Sequence, residues 1–134
     1  MDTAEAARRF VRVWERGWAE HDVDSILALY ARGCVHRSMP FRAPHRGRHE
    51  LAAYLRWSFA GERTLDVRFS EPIVGPEGRV VAEFRVLAEE DGTPSTLAGC
   101  VFVRFDGEGL AVESRDYWHA VTGRQEPEGS LFFA

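Results

Sequence analysis

The stretch that decides the fold is residues 80–119, VVAEFRVLAEEDGTPSTLAGCVFVRFDGEGLAVESRDYWH. Val80 to Leu87, Leu97 to Phe105 and Leu110 to His119 alternate apolar with polar residues, the period of a strand with one buried face. Asp91-Gly92-Thr93-Pro94 and Asp106-Gly107-Glu108-Gly109 separate the three runs with turn chemistry. The segment predicts an antiparallel meander. One parity carries Glu83, Arg85, Arg104, Glu113 and Arg115, which can pair across strands on the less buried face. The other carries Val80, Ala82, Phe84, Val86, Gly99, Val101, Val103, Phe105, Leu110 and Val112, the face expected to meet the rest of the chain.

Upstream of this segment, Leu65, Val67 and Phe69 alternate with Asp66, Arg68 and Ser70, a further strand before the Gly75-Pro76-Glu77-Gly78 turn. The first half reads as helices. Ala7, Phe10, Val11, Trp14, Gly17 and Trp18 recur at three- and four-residue steps, giving an amphipathic helix from about residue 3 to 20. Asp22 or Asp24 can cap a short second helix carrying Ile26, Leu27 and Tyr30, which Gly33 ends. Cys34 to Ser38 forms a short strand, and Met39 to Arg46, with Pro40 and Pro44, a loop. Gly47 with Glu50 starts a third helix whose stripe is Leu51, Tyr54, Leu55, Ser58 and Phe59, stopped by Gly61. Helices followed by a meander make an α+β domain with three N-terminal helices packed in a curved, mostly antiparallel sheet.

The chain of 134 residues suits a single domain spanning 1–134. A formal charge of −4 argues against nucleic acid as a partner. No apolar run approaches the roughly 20 residues of a membrane helix, and the N-terminus lacks a signal-peptide core, so no membrane partner is expected. Cys34 and Cys100 make no metal or redox pattern, and a cytoplasmic, reduced protein follows. All 17 basic residues are Arg, with no Lys and no Asn, as codon bias alone would produce. The missing lysines exclude Schiff-base chemistry with a lysine amine. His45 and His49 share no helical face and have no third ligand, so no metal site is expected. No glycine-rich phosphate loop follows a strand. His21 is expected to be solvated.

One acid stands out. Along the last strand the core parity runs on through Ser114, Asp116 and Trp118. A carboxylate aimed into an apolar interior is costly unless hydrogen-bonded or neutralised. Asp116 is either a structural acid that bonds a backbone amide or an Arg, or a functional one.

Three segments carry a resemblance: Asp22-Val23-Asp24-Ser25-Ile26-Leu27-Ala28-Leu29-Tyr30, Ser38-Met39-Pro40 and Ser114-Arg115-Asp116-Tyr117-Trp118. Through them the chain resembles the nuclear-transport-factor-2-like superfamily in its SnoaL-like branch, with polyketide cyclases, ketosteroid isomerases, scytalone dehydratase and limonene epoxide hydrolase. The resemblance implies a cone-shaped α+β barrel of the cystatin-like kind with an inner pocket, and a homodimer packed through the sheet. The Tyr and two Asp of ketosteroid isomerase fall on Trp14, Ser38 and Val101, so that proton shuttle is missing. Limonene epoxide hydrolase matches in part, with His36, Ser38, Met39 and Pro40 on the first strand and Asp116 on the last. Its Arg-x-Asp acid pair does not occur.

If both residues follow the family placement, Asp116 and His36 face each other across the pocket as a catalytic acid–base pair, the carboxylate raising the ring's basicity. Ser38, Trp14, Trp18, Tyr54, Trp57, Phe59, Val101 and Trp118 would bind substrate, the aromatics as apolar walls. The function implied is cofactor-free acid–base chemistry on a small hydrophobic metabolite: cyclisation, dehydration, isomerisation or epoxide opening. The alternative is a non-catalytic ligand-binding or dimeric assembly module of the same fold, or a partner-binding protein with a flat apolar patch. The apolar Leu131-Phe132-Phe133 tail is expected to cover the pocket mouth or cross to a dimer partner.

Overall fold

The computed structural model describes residues 1–128. The elements are α1 (Thr3–Glu20), α2 (Val23–Leu27), β1 (Tyr30–Ser38), β2 (His45–Arg46), α3 (Gly47–Ala60), β3 (Glu62–Phe69), β4 (Ile73–Val74), β5 (Arg79–Glu90), β6 (Thr93–Phe105) and β7 (Ala111–Thr122).

The Asp2 carboxylate opens α1 by accepting from the Glu5 N–H at 2.8 Å. His21 closes it in a left-handed conformation, φ 55°. Asp22, rather than Asp24, caps α2 by accepting from the Ser25 N–H. That helix is shorter than its sequence pattern suggests. It ends at Leu27, and Tyr30 to Gly33 already belong to β1, so Gly33 stops no helix. The physical reason is pairing: Tyr30 aligns with Ala111 of β7, and a ladder overrides a weak helical signal. The loop after β1 is also shorter than expected, because His45 and Arg46 pair back on β1 as β2. Gly47, with φ 79°, turns the chain from β2 into α3. The Glu50 carboxylate accepts the Arg46 N–H there at 2.7 Å.

The sheet runs β2-β1-β7-β6-β5-β3, with β4 on β5. Only β1 and β7 are parallel, and every other pair is antiparallel. The sheet curves around the helices without closing: β2 and β3 are its edges. Gly99 lies where β6 crosses β7 opposite Trp118. A Cβ there would clash with the Tyr117 carbonyl and sit 2.6 Å from the Trp118 Cα, so only glycine permits this close approach.

The concave face meets the helices as the alternation requires. Phe10, Trp14, Tyr30, Leu51, Leu55, Phe84, Val101 and Phe105 share one core. The last strand departs in one detail. A bulge lies between the Phe105–Ala111 and Arg104–Glu113 pairs, so Ala111 is buried in place of Leu110 and Val112. The register is then restored, and Ser114, Asp116 and Trp118 face inward.

On the convex face the expected cross-strand pairing among the five charged residues does not form. Arg115 meets Glu113 two residues along its own strand. Arg85 is buried, bonded to Asp66 at 2.8 Å and Glu126 at 3.0 Å. The segment after β7 folds back over this face, where Gly123 accepts from the Thr96 hydroxyl and Gln125 donates to it. The Leu131-Phe132-Phe133 tail lies outside the described residues. Among the described residues no helix is long and apolar enough to cross a membrane.

Candidate functional site

Between the concave sheet and α1 and α3 lies a pocket of about 620 Å³. Its walls are the indoles of Trp14, Trp18 and Trp118 with Tyr54, Leu55 and Phe59. Trp57 stands at the rim, largely exposed. His36, Ser38 and Asp116 form one polar group in the lining, which also includes Arg42, Ser58, Glu62, Glu90 and Asp91. Val101 stands apart. It is Asp116's cross-strand neighbour, buried behind it beside a void of about 10 Å³.

The polar group is assembled by the parallel pairing of β1 with β7. In that register His36 aligns with Ser114 and Ser38 with Asp116. Side chains of paired residues emerge on the same face, so the four point into the cone together. His36 Nε2 is 3.5 Å from Asp116 Oδ2. His36 Nδ1 and Ser114 Oγ are hydrogen-bonded at 2.6 Å, and Ser114 Oγ and Tyr30 OH at 2.9 Å. The Trp118 indole donates to Ser38 Oγ at 3.1 Å.

Burial governs the charges. His36 is 1% exposed, and desolvation, with His45 nearby, pushes its pKa down to about 3. The expected rise in basicity from the neighbouring carboxylate does not occur, because the ring is too deeply buried to carry charge. The same desolvation pushes Asp116 up to about 7. Its side chain keeps 19% of its surface, and it lines the pocket. Among the described residues the ion pair of Asp116 is with His36, and no Arg pairs with it. Burial also raises the phenols of Tyr30 and Tyr54.

Several participants were not singled out as site residues by the sequence. Tyr30 and Ser114 are far apart in the chain, and only the β1–β7 register joins them. Arg42, from the loop after β1, lines the pocket with its guanidinium 5.3 Å from the Trp118 ring centroid. Glu62 accepts from the Trp18 indole at 2.9 Å. His21 is not simply solvated. Its Nε2 is 2.8 Å from Thr64 Oγ1, and its ring stacks on Phe59 at 4.5 Å. His45 stacks on Tyr54 at 4.4 Å from β2, while His49 is exposed on α3.

Comparison with known proteins places this geometry. No curated protein matches the chain. Solved structures match over most of its length. RV0760c from Mycobacterium tuberculosis is 20% identical, with 88% of this chain and 96% of that one covered at a TM-score of 0.76. That protein has also been solved with estradiol-17beta-hemisuccinate. A candidate isomerase from Bacillus subtilis is 20% identical, covering 89% and 90% at a TM-score of 0.77. A candidate polyketide cyclase from Xanthomonas campestris is 21% identical, covering 88% and 93% at 0.71. At these identities the likeness is one of fold. The sequence model of the SnoaL-like domain matches residues 7–114, most of the chain. The chain belongs to the SnoaL-like domain family.

Proposed function

We propose that this protein is a cytoplasmic enzyme that performs cofactor-free acid–base chemistry on a small hydrophobic molecule held in the cone. Asp116 is the base. The reaction class is cyclisation, dehydration, isomerisation or epoxide opening. The observation that carries this reading is a mostly buried carboxyl group that lines the pocket, which desolvation raises to about 7. A base is most useful when its pKa lies near the working pH, and desolvation raises its basicity.

In this reading Asp116 takes a proton from a C–H or O–H of the ligand and later returns it. His36 stays neutral and supports the carboxylate. Oxygen that gains charge on the ligand has two donors at hand. The Tyr54 hydroxyl lies beside Ser38, and Arg42 supplies a cation at the wall. The aromatic walls hold a flat apolar body. The complex of RV0760c with estradiol-17beta-hemisuccinate, a steroid ester, is consistent with such a ligand.

The test is Asp116→Asn, assayed on a panel of hydrophobic ketones, polyketide-like esters and epoxides. Turnover should fall roughly 10²- to 10⁴-fold with the fold intact. Wild-type turnover in that variant ends the proposal. Tight ligand binding with no turnover by the native protein favours the binding-module alternative.

The active unit in this proposal is a homodimer packed through the convex face of the sheet. Phe102 and Val121 are exposed there, and Ile73, Val81 and Cys100 line a groove of about 420 Å³.

A further inference from the structure

We propose that Ser114 and Tyr30 are positioning residues that lock the His36 ring in the tautomer protonated at Nε2, so that the ring presents an N–H, and never a lone pair, to Asp116. The inference rests on the reading that Asp116 exchanges a proton with the ligand.

The argument is one of donor direction in a sealed chain. Tyr30, Ser114 and His36 are all buried, so each of their protons must find an acceptor within the protein. The indole of Trp14 can only donate, and its buried Nε1 beside the Tyr30 hydroxyl makes no hydrogen bond, so Trp14 offers the Tyr30 proton no acceptor. Among the described residues the buried Tyr30 proton has one acceptor within reach, Ser114 Oγ, 2.9 Å away, and it points there. The Ser114 proton then points to His36 Nδ1 at 2.6 Å. Nδ1 is thereby fixed as an acceptor. The neutral ring carries its proton on Nε2, which faces Asp116 Oδ2 at 3.5 Å.

The opposite direction fails. If Nδ1 donated to Ser114 and Ser114 to Tyr30, the buried Tyr30 proton would be left with no acceptor among the described residues. The chain has no branch to solvent.

The consequence is chemical. When Asp116 takes a proton, His36 cannot relay it inward. The proton stays on the carboxyl group, directed at the pocket, and is returned to the ligand. The groups facing this unit are Tyr54 from α3, His45 from β2, Cys34 along β1, Cys100 from β6 and Arg42 at the wall. None of them is hydrogen-bonded to either ring nitrogen among the described residues.

The test needs no substrate. Nitrogen-15 shifts of the two His36 ring nitrogens are followed from about pH 8.5 to about pH 5.5, across the Asp116 titration. In the wild type the ring should stay protonated at Nε2 throughout. In Ser114→Ala the lock is gone, and protonated Asp116 can donate to Nε2, so the ring should convert to the Nδ1-protonated form as pH falls. Tyr30→Phe, which leaves the Ser114 proton free to turn either way, should convert in the same sense and serves if Ser114→Ala is unstable. A wild-type ring that switches with pH, or variants that keep the wild-type signature, overturns the proposal. Turnover of Asp116→Asn tests the base, whereas the ring signature tests the lock, so the two can fail separately.

Discussion

Replacing Asp116 by Asn should make the protein progressively more stable than the wild type as pH rises. The reason lies in opposed titrations. Burial raises the Asp116 carboxyl from 3.8 to about 7, so the folded chain holds this proton where the unfolded chain has lost it. Stability therefore falls as pH climbs from the unfolded value through about 7. At ~1.4 kcal/mol per unit, the loss amounts to ~2 kcal/mol at pH 5 and ~4 kcal/mol at pH 8. His36 runs the other way, because burial lowers it from 6.5 to about 3. In that window the unfolded chain binds the extra proton, so stability rises with pH, by ~2 kcal/mol between pH 5 and pH 8. In the wild type the two slopes nearly cancel. Asp116→Asn keeps the shape, deletes the carboxylate's slope and leaves the histidine's. The variant should gain ~2 kcal/mol relative to the wild type across that interval. Solvation through the pocket, where Asp116 keeps 19% of its side-chain surface, sets the figure at this lower end. With a urea slope of ~1.5–2 kcal/mol per molar, the gap between midpoints widens by ~1 M from pH 5 to pH 8. Urea unfolding followed by tryptophan fluorescence reads this directly. A gap that does not change with pH refutes the claim that burial holds this acid near neutrality. The same substitution removes the proposed base, so stability and turnover move in opposite directions.

Gly99→Ala places a methyl group against the Tyr117 carbonyl and the Trp118 Cα, both backbone. It should cost more than ~3 kcal/mol and lower the melting temperature by ~10 °C, and an unchanged melt would show that the strand crossing can yield. Phe102→Arg puts a further charge on the convex face, where Phe102 is 41% exposed. Sedimentation should show a dimer becoming a monomer, and a wild-type chain that sediments as a monomer removes the proposed interface.

The strand region was legible because its period of two is a local property. Each alternating run forms its strand with the apolar set inward, and the two Gly-containing hairpin turns lie between them. The stripe of α1 was legible for the same reason. Where local and distant signals compete, the sequence misleads. Tyr30 reads as the end of a helix but starts β1, because pairing with Ala111 exceeds what five residues of helix can contribute. Val112 reads as core, but a one-residue bulge at the start of β7 gives its place to Ala111. Arg85 reads as exposed on parity, but the segment after β7 covers it and two carboxylates neutralise it.

The site divides in the same way. The inward direction of Asp116 follows from counting along one strand, so the amino-acid sequence by itself singled out this acid. Its resemblance to a SnoaL-like chain then placed His36, Ser38 and the aromatic walls with it. That His36 is neutral, that Ser114 and Tyr30 stand behind it, and that Arg42 reaches the wall were decided only in three dimensions. The parallel pairing of β1 with β7 sets residues about 80 positions apart side by side. No periodicity within either strand encodes that register. Burial is likewise a sum over all the elements that pack around a group, so the shifted pKa values of Asp116 and His36 belong to the folded cone and to neither strand alone.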